Sequence, residues 1–108
     1  MEVPLEIDVT EAARLLNTPG AAALLDIREP HEYAFCQIAG SLHIPMREIP
    51  ARLAELPADR QILVLCHMGV RSMRVTRFLR ANDYHRVSNV GGGIDAWAES
   101  VDPGLPRY

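Results

Sequence analysis

Apolar runs alternate with amphipathic stretches along the whole chain, and the length and boundaries of each run name an element. Leu5 to Ile7 predicts a short first strand. Thr10 then opens a helix whose apolar side is Ala13, Leu15 and Leu16 and whose stop is "NTPG". "AALLDI" reads as a buried strand ending at Asp26, "EPHEYAFC" places a proline in the first turn of a helix, and "AGSLHIP" is a third, short strand. Met46, Ile49, Leu53 and Leu56 recur at the spacing of another helix, which "PADR" ends. "QILVLC" is the most continuous apolar run, as expected of a strand buried on both faces of a parallel sheet, and it is the predicted central strand. From Arg71 to Ala81, the residues Met73, Val75, Phe78 and Leu79 approximate one helical face. "HRVSNV" supplies a fifth strand, and "GGG" leads into a short helix over Ile94 to Ala98. The segment "VDPGLPRY", with two prolines and a glycine, is expected to lie extended on the surface.

Strands that alternate with helices in short units imply a parallel sheet covered on both faces, that is, a three-layer α/β/α arrangement. The 108 residues are enough for one core, so a single domain is expected over residues 1–108, with its core at about 5–99 and a tail from 100 to 108. There are no internal repeats and no low-complexity linkers.

Composition narrows the function classes. An apolar fraction of 48% with 23% charged residues fits a globular domain rather than a disordered or fibrous one. No apolar run approaches the roughly 20 residues of a membrane span, and "MEVPLEIDVTEAARLL" is acidic where a secretory signal would be basic and then apolar, so a cytoplasmic location is expected. The net charge of -3 argues against general binding to nucleic acid or to anionic membranes. All 11 basic residues are Arg, so the identity of any one of them says little about its task. Cys36 and Cys66 are expected to be free thiols.

The candidate chemistry follows the central strand. Ligands of an open parallel sheet bind beyond the carboxyl ends of its strands, and Cys66 stands at that position. The following "HMGVRS" must turn from strand to helix. Gly69 lets the backbone bend so that successive N–H groups point inward, a nest that binds anions and stabilises a thiolate. Arg71 at the start of the helix opposes the macrodipole, which costs about 0.3–1 kcal/mol and is relieved by an anion held in the loop. His67 and Arg28 are placed to add positive potential, and Ser72 to cap the helix or donate to the sulfur.

Against this, a lone cysteine at a strand end is more often a small buried hydrophobe; it is the conjunction of Cys, Gly and Arg in one strand-to-helix loop that favours catalysis. Arg74, Arg77 and Arg80 read as a solvated face, and Cys36, with no glycine-rich loop behind it, as structural. His31, His43 and His85 lack ligand spacing, so no metal site is expected. "GGGIDA" matches the loose dinucleotide pattern G-x-G-x-x-A, but no second βαβ unit or acidic ribose partner accompanies it, so no cofactor is expected.

Together, "LLDIREPHEY", "IAGSLHIP", "LCHMGVRS" and "NVGGGIDAW" resemble the rhodanese family of sulfurtransferases across nearly the whole chain. The resemblance implies a five-stranded parallel sheet. It also implies a persulfide carried on Cys66, with the backbone N–H groups of His67, Met68, Gly69, Val70, Arg71 and Ser72 as its cradle, and transfer from a sulfane donor such as thiosulfate to cyanide or a thiol. Around "FCQIAGS" the chain departs from the family, which commonly has Gly, His and Pro where Cys36, Gln37 and Ala39 stand. "VDPGLPRY" is similar to the ends of rhodanese domains fused to enzymes that activate sulfur-carrier proteins, which makes such a carrier a candidate acceptor. Two alternatives remain: a cysteine phosphatase or arsenate reductase, and a non-catalytic binding module. Tyrosine-specific cysteine phosphatases place five residues between their cysteine and arginine, whereas Cys66 and Arg71 are separated by four.

Overall fold

The computed structural model describes residues 2–108. The chain order is β1 (Glu6–Ile7), α1 (Val9–Leu16), β2 (Ala22–Asp26), α2 (Pro30–Phe35), β3 (Leu42–His43), two 3-10 segments (Met46–Ala51 and Leu53–Glu55), β4 (Gln61–Leu65), α3 (Val70–Ala81), β5 (Val87–Val90) and α4 (Gly93–Ser100). The five strands are all parallel, in the order β1-β5-β4-β2-β3. This puts β4 at the centre, where its unbroken apolar run "QILVL" meets its requirement for burial on both faces.

Alternation along β4 divides the core in two. Ile62, Val64 and Cys66 face one side, with Leu25, Ile27, Ile44, Ile49, Val75 and Leu79 of the flanking elements. Leu63 and Leu65 face the other, against Ile7, Val9, Ala12, Ile94 and Trp97, so that α1 and α4 cover that face while α3 covers the first. The three-layer reading therefore stands.

Four local expectations change. Helix α1 is capped by Asp8 rather than opened by Thr10: the Asp8 carboxylate accepts the Glu11 N–H at 2.9 Å, which satisfies one of the unpaired donors of the first turn. The segment with Met46, Ile49, Leu53 and Leu56 is not an α-helix but two 3-10 segments. Pro50 has no N–H to give to the carbonyl four residues back, so the apolar spacing survives as core while the helix does not. In α3 the buried face is Ser72, Val75, Thr76 and Leu79, and Phe78 lies at its exposed margin. Finally, the tail is on the surface but is not free. Leu105 N–H returns to the Asp102 carbonyl (3.0 Å), Arg107 pairs with Asp95 (3.0 Å), and Tyr108 folds back onto the carboxyl edge of the sheet. Among the described residues no helix is long and apolar enough to cross a membrane.

Candidate active site

Cys66 follows the last residue of β4 at the carboxyl edge, and the chain turns there into α3. The turn depends on Gly69, whose φ of 96° lies in the left-handed region that side chains disfavour. A Cβ at that position would also stand 3.1 Å from the Gly92 nitrogen. So bent, the loop directs donors at the thiol: Cys66 Sγ accepts the N–H of Gly69 at 3.1 Å and of Ser72 at 3.4 Å, and Ser72 Oγ lies 3.2 Å away. Ser72 is itself fixed by burial, and its carbonyl accepts the Thr76 hydroxyl at 2.8 Å. Cys66 is 1% exposed, while Met68 (59%) and Val70 (70%) stand out from the rim.

The loop is held from outside by two elements. The first N–H groups of α4 donate to it, Ile94 to the Cys66 carbonyl at 2.9 Å and Asp95 to the His67 carbonyl at 3.1 Å. This approach explains the glycine run, since a Cβ on Gly93 would lie 2.4 Å from the His67 oxygen and 2.5 Å from the Cys66 oxygen. From β5, the buried Asn89 amide donates to the Gly69 carbonyl at 3.1 Å and to Glu6 at 2.8 Å. A trans peptide sets its C=O and N–H in opposite directions, so fixing the Gly69 carbonyl on Asn89 turns the Val70 N–H away from β5. Asn89 Oδ1 is a buried atom with no partner among the described residues.

The charged residues sort differently from expectation. Arg71 is part of the rim, but its guanidinium is bidentate to Glu32, with Nη1–Oε1 at 2.7 Å and Nη2–Oε2 at 2.9 Å. That guanidinium is the main cause holding the Glu32 carboxyl down at about 2, against its burial and with help from a backbone N–H and from Tyr108. Arg28 does not face the loop freely. It is fully buried and engaged by Asp26 (2.7 Å), the Cys36 carbonyl (2.7 Å), the Glu32 carbonyl (3.2 Å) and the Tyr108 hydroxyl (3.1 Å). Its two-residue separation from Asp26 places both groups in one closed pair, and no N–H donor remains to hold a ligand. His67 stacks flat on Tyr108, with ring centroids 3.9 Å apart and 9° between planes, and Phe35 meets the same tyrosine edge-on at 5.7 Å. The Tyr108 hydroxyl donates to Glu32 Oε2 at 2.8 Å, and burial first, then this carboxylate, pushes the phenol up to about 12 against the opposing pull of Arg28.

Cys66, His67, Met68, Gly69, Val70, Arg71 and Ser72 are thus brought together, while Arg28 stands behind them. Cys36 is buried and free, and its sulfur has only the Arg28 guanidinium at 3.9 Å. His43 stacks on Tyr33 and meets the Arg28 carbonyl (2.8 Å); among the described residues no group of His, Cys, Asp and Glu is arranged to hold a metal. Three residues of the site escaped the sequence reading. Glu32 looks like an ordinary first-turn acid of α2, and nothing local marks Tyr108. Asn89 alone left a signal, an amide between two valines of a short strand, two residues before the glycines.

The family model for the Rhodanese-like domain matches residues 8–100. A sulfurtransferase of Allochromatium vinosum is 40% identical over 101 residues, 94% of this chain and 92% of that protein. Thiosulfate sulfurtransferase GlpE of Actinobacillus pleuropneumoniae is 34% identical, over 94% of this chain and 90% of its own length. The putative sulfur carrier protein YrkF of Bacillus subtilis is 32% identical over 90% of this chain, which spans 52% of it. The crystal structure of a rhodanese-like domain protein from Staphylococcus aureus superposes with a TM-score of 0.82 at 30% identity, covering 97% of this chain and 99% of that one.

Proposed function

Because the chain belongs to the rhodanese-like family of sulfurtransferases, we propose that it moves a sulfane sulfur by ping-pong transfer, with Cys66 as the atom that carries it. The observation that supports this most is the convergence on one sulfur of the Gly69 and Ser72 N–H groups, at 3.1 and 3.4 Å, at the end of the central strand. Donors fixed before the reaction stabilise negative charge without having to reorganise during it.

In the first half-reaction the Cys66 thiolate attacks the outer sulfur of thiosulfate. A new S–S bond forms, the old one breaks, and its electron pair leaves with sulfite. Cys66 is now a persulfide anion. In the second half, cyanide or an acceptor thiolate attacks the outer sulfur, the Cys66 S–S bond breaks, and the thiolate is restored as thiocyanate or a new persulfide departs. No step needs a general base. Met68 and Val70 line the entrance, Arg71 gives it positive charge, and the N–H groups from His67 to Ser72 surround the transferred sulfur. A sulfur-carrier protein is the proposed macromolecular acceptor, in line with the similarity of "VDPGLPRY" to carrier-activating proteins and with the relative named as a carrier.

The phosphatase alternative is less well supported. Four residues separate Cys66 from Arg71, one fewer than the five of the tyrosine-specific cysteine phosphatases. A phosphatase also needs a protonated acid for its leaving group. Asp26 is closed into the Arg28 pair, and Glu32, held at about 2, is ionised. The test is mass spectrometry after incubation with thiosulfate. The expected result is one added sulfur, mapped to the Cys66 peptide and absent in Cys66→Ser. Sulfur on Cys36, or aryl-phosphate hydrolysis without sulfur transfer, would overturn the assignment.

A further inference from the structure

The thiol assigned above is almost wholly covered, at 1% exposure, yet donor and acceptor must both reach it. The cover is of two kinds. Gly69, Ser72, Ile94 and Asn89 hold the loop through hydrogen bonds that lie within it or reach it from the folded sheet and helices. Tyr108 bears on the loop from outside by side-chain contacts alone. Its ring lies on His67, the residue after the thiol, and its hydroxyl reaches Glu32, which grips Arg71, four residues beyond His67. One aromatic side chain is therefore linked to both ends of the loop, directly to His67 and through Glu32 to Arg71.

The segment that presents this ring is jointed. Val101 and Asp102 N–H groups close α4 on the Trp97 carbonyl, Asp102 caps a turn through the Gly104 N–H at 3.1 Å, and Leu105 rests against the apolar face beside α1 and α4. Beyond that turn the chain is tethered by exposed pairs of Arg107 with Asp95 at 3.0 Å and Glu99 at 3.7 Å, contacts that are individually weak and yield to salt. A ring held by a stack on His67, an edge contact with the exposed Phe35, two hydroxyl bonds and an exposed tether can leave its seat while the loop beneath it keeps its shape.

We propose that residues 101–108 form a strap over the sulfur site and that Tyr108 is its gate, the residue that determines which sulfur acceptors reach Cys66. With the ring seated, the entrance between Met68, Val70 and Arg71 admits small ions such as thiosulfate and cyanide. With the ring displaced, the His67 side opens and a bulkier thiol, including one presented by a protein, reaches the outer sulfur. Tyr108 also orients Arg71 through Glu32, so seating couples access to the placement of the cation. The inference rests on Cys66 being the sulfur-bearing thiol, and its test separates the two claims.

The first measurement needs no sulfur transfer. Alkylation of Cys66 by iodoacetamide and by the bulkier N-ethylmaleimide is followed by peptide mass mapping in the natural chain, Tyr108→Phe, Tyr108→Ala and Arg107→Ala. If the seated ring blocks the larger reagent and the open form is at most about a tenth of the population, Tyr108→Ala raises the maleimide rate about tenfold or more and the iodoacetamide rate less. Tyr108→Phe, which keeps the stack but loses both hydroxyl bonds, falls between, as does Arg107→Ala. His67 ring proton resonances, shifted by the stacked tyrosine, move toward their unstacked positions in the same order. The second measurement is sulfur transfer from thiosulfate: the ratio of turnover with glutathione to turnover with cyanide rises in Tyr108→Ala. Equal maleimide-to-iodoacetamide ratios in all four folded proteins, or an unchanged acceptor ratio, would remove the gate. A chain whose alkylation responds to Tyr108 but which takes no sulfur on Cys66 would keep the gate and overturn the sulfurtransferase reading.

Discussion

Two segments leave the carboxyl edge of the sheet from neighbouring strands, residues 27–36 after β2 and residues 66–72 after β4, and each contains a buried cysteine and an arginine. They use these residues oppositely. After β2 the arginine is internal: Arg28 is fully buried, closes on Asp26 and carbonyl oxygens, and leaves the Cys36 sulfur only a distant guanidinium. After β4 the arginine stays at the rim, a third of its side chain exposed, and the backbone is bent so that its N–H groups converge on Cys66. Residue types alone do not separate a structural centre from the proposed reactive one. The direction of the main-chain donors does, and a single left-handed glycine sets it.

The difference is tested most severely at the two sulfurs. Cys66→Ser is expected to lower sulfur transfer by at least about 10³-fold, because a neutral hydroxyl is a far weaker nucleophile than a thiolate. Cys36→Ser should retain the reaction and lose about 1–3 kcal/mol of stability, from a hydroxyl placed where a small hydrophobe stood. Thiocyanate release and urea unfolding on both variants read the two quantities. A large activity loss in Cys36→Ser at unchanged stability would contradict the comparison.

The arginines come next. Arg28→Met leaves Asp26 buried and unpaired, and is expected to cost about 3–5 kcal/mol in urea unfolding, with much of that recovered in the double variant Asp26→Leu, Arg28→Met. Arg71→Ala removes a guanidinium that is a third exposed but leaves the buried Glu32 carboxylate with only its backbone and Tyr108 donors, and should cost about 1–3 kcal/mol of stability, less than Arg28→Met. Its distinguishing effect appears in kcat/KM for thiosulfate, about 10- to 100-fold lower, through loss of a charge-assisted contact with the donor. If Arg71→Ala unfolds the protein and Arg28→Met slows only catalysis, the two regions have been assigned the wrong way round.

Much of this arrangement was legible in the sequence where one residue type has one physical use. The run "QILVL" has to be central, and it is; the alternating order of strands and helices requires the parallel sheet that is found. Cys66 followed by Gly69 and Arg71 marked the loop. Errors arose where a local pattern competes with a chemical detail, as where Pro50 turned helical spacing into 3-10 segments. What could not be read were partners distant in the chain. Glu32 is 39 positions from Arg71 and Tyr108 is 76 from Glu32, and no periodicity reports such a contact. Arg28 was misplaced for the same reason: its carbonyl acceptors, from Glu32 and Cys36, exist only once α2 has formed.

The smallest expected effect concerns the residue that joins the two segments, Glu32, which belongs to α2 and grips Arg71. Its carboxyl ordinarily titrates near 4.5 and is held at about 2 in the fold, chiefly by the Arg71 guanidinium. A folded value below the unfolded one means that the unfolded chain takes up the proton first as pH falls. The stabilisation from this group is therefore complete above about 4.5 and is lost as the pH drops through about 2. Other carboxylates, Asp95 among them, are also held low by their arginines, so the total acid sensitivity cannot be assigned to one residue. A difference measurement isolates it. Glu32→Gln keeps the shape and removes the titration, so its unfolding free energy should fall less steeply than that of the natural chain between pH 4.5 and 2, although it starts lower at neutral pH. Tyr108→Phe removes one donor to the same carboxylate and should give a smaller change of the same sign. Parallel curves for the natural chain and Glu32→Gln across that window would show that the contact between the segments is not formed in solution, and that each acts alone.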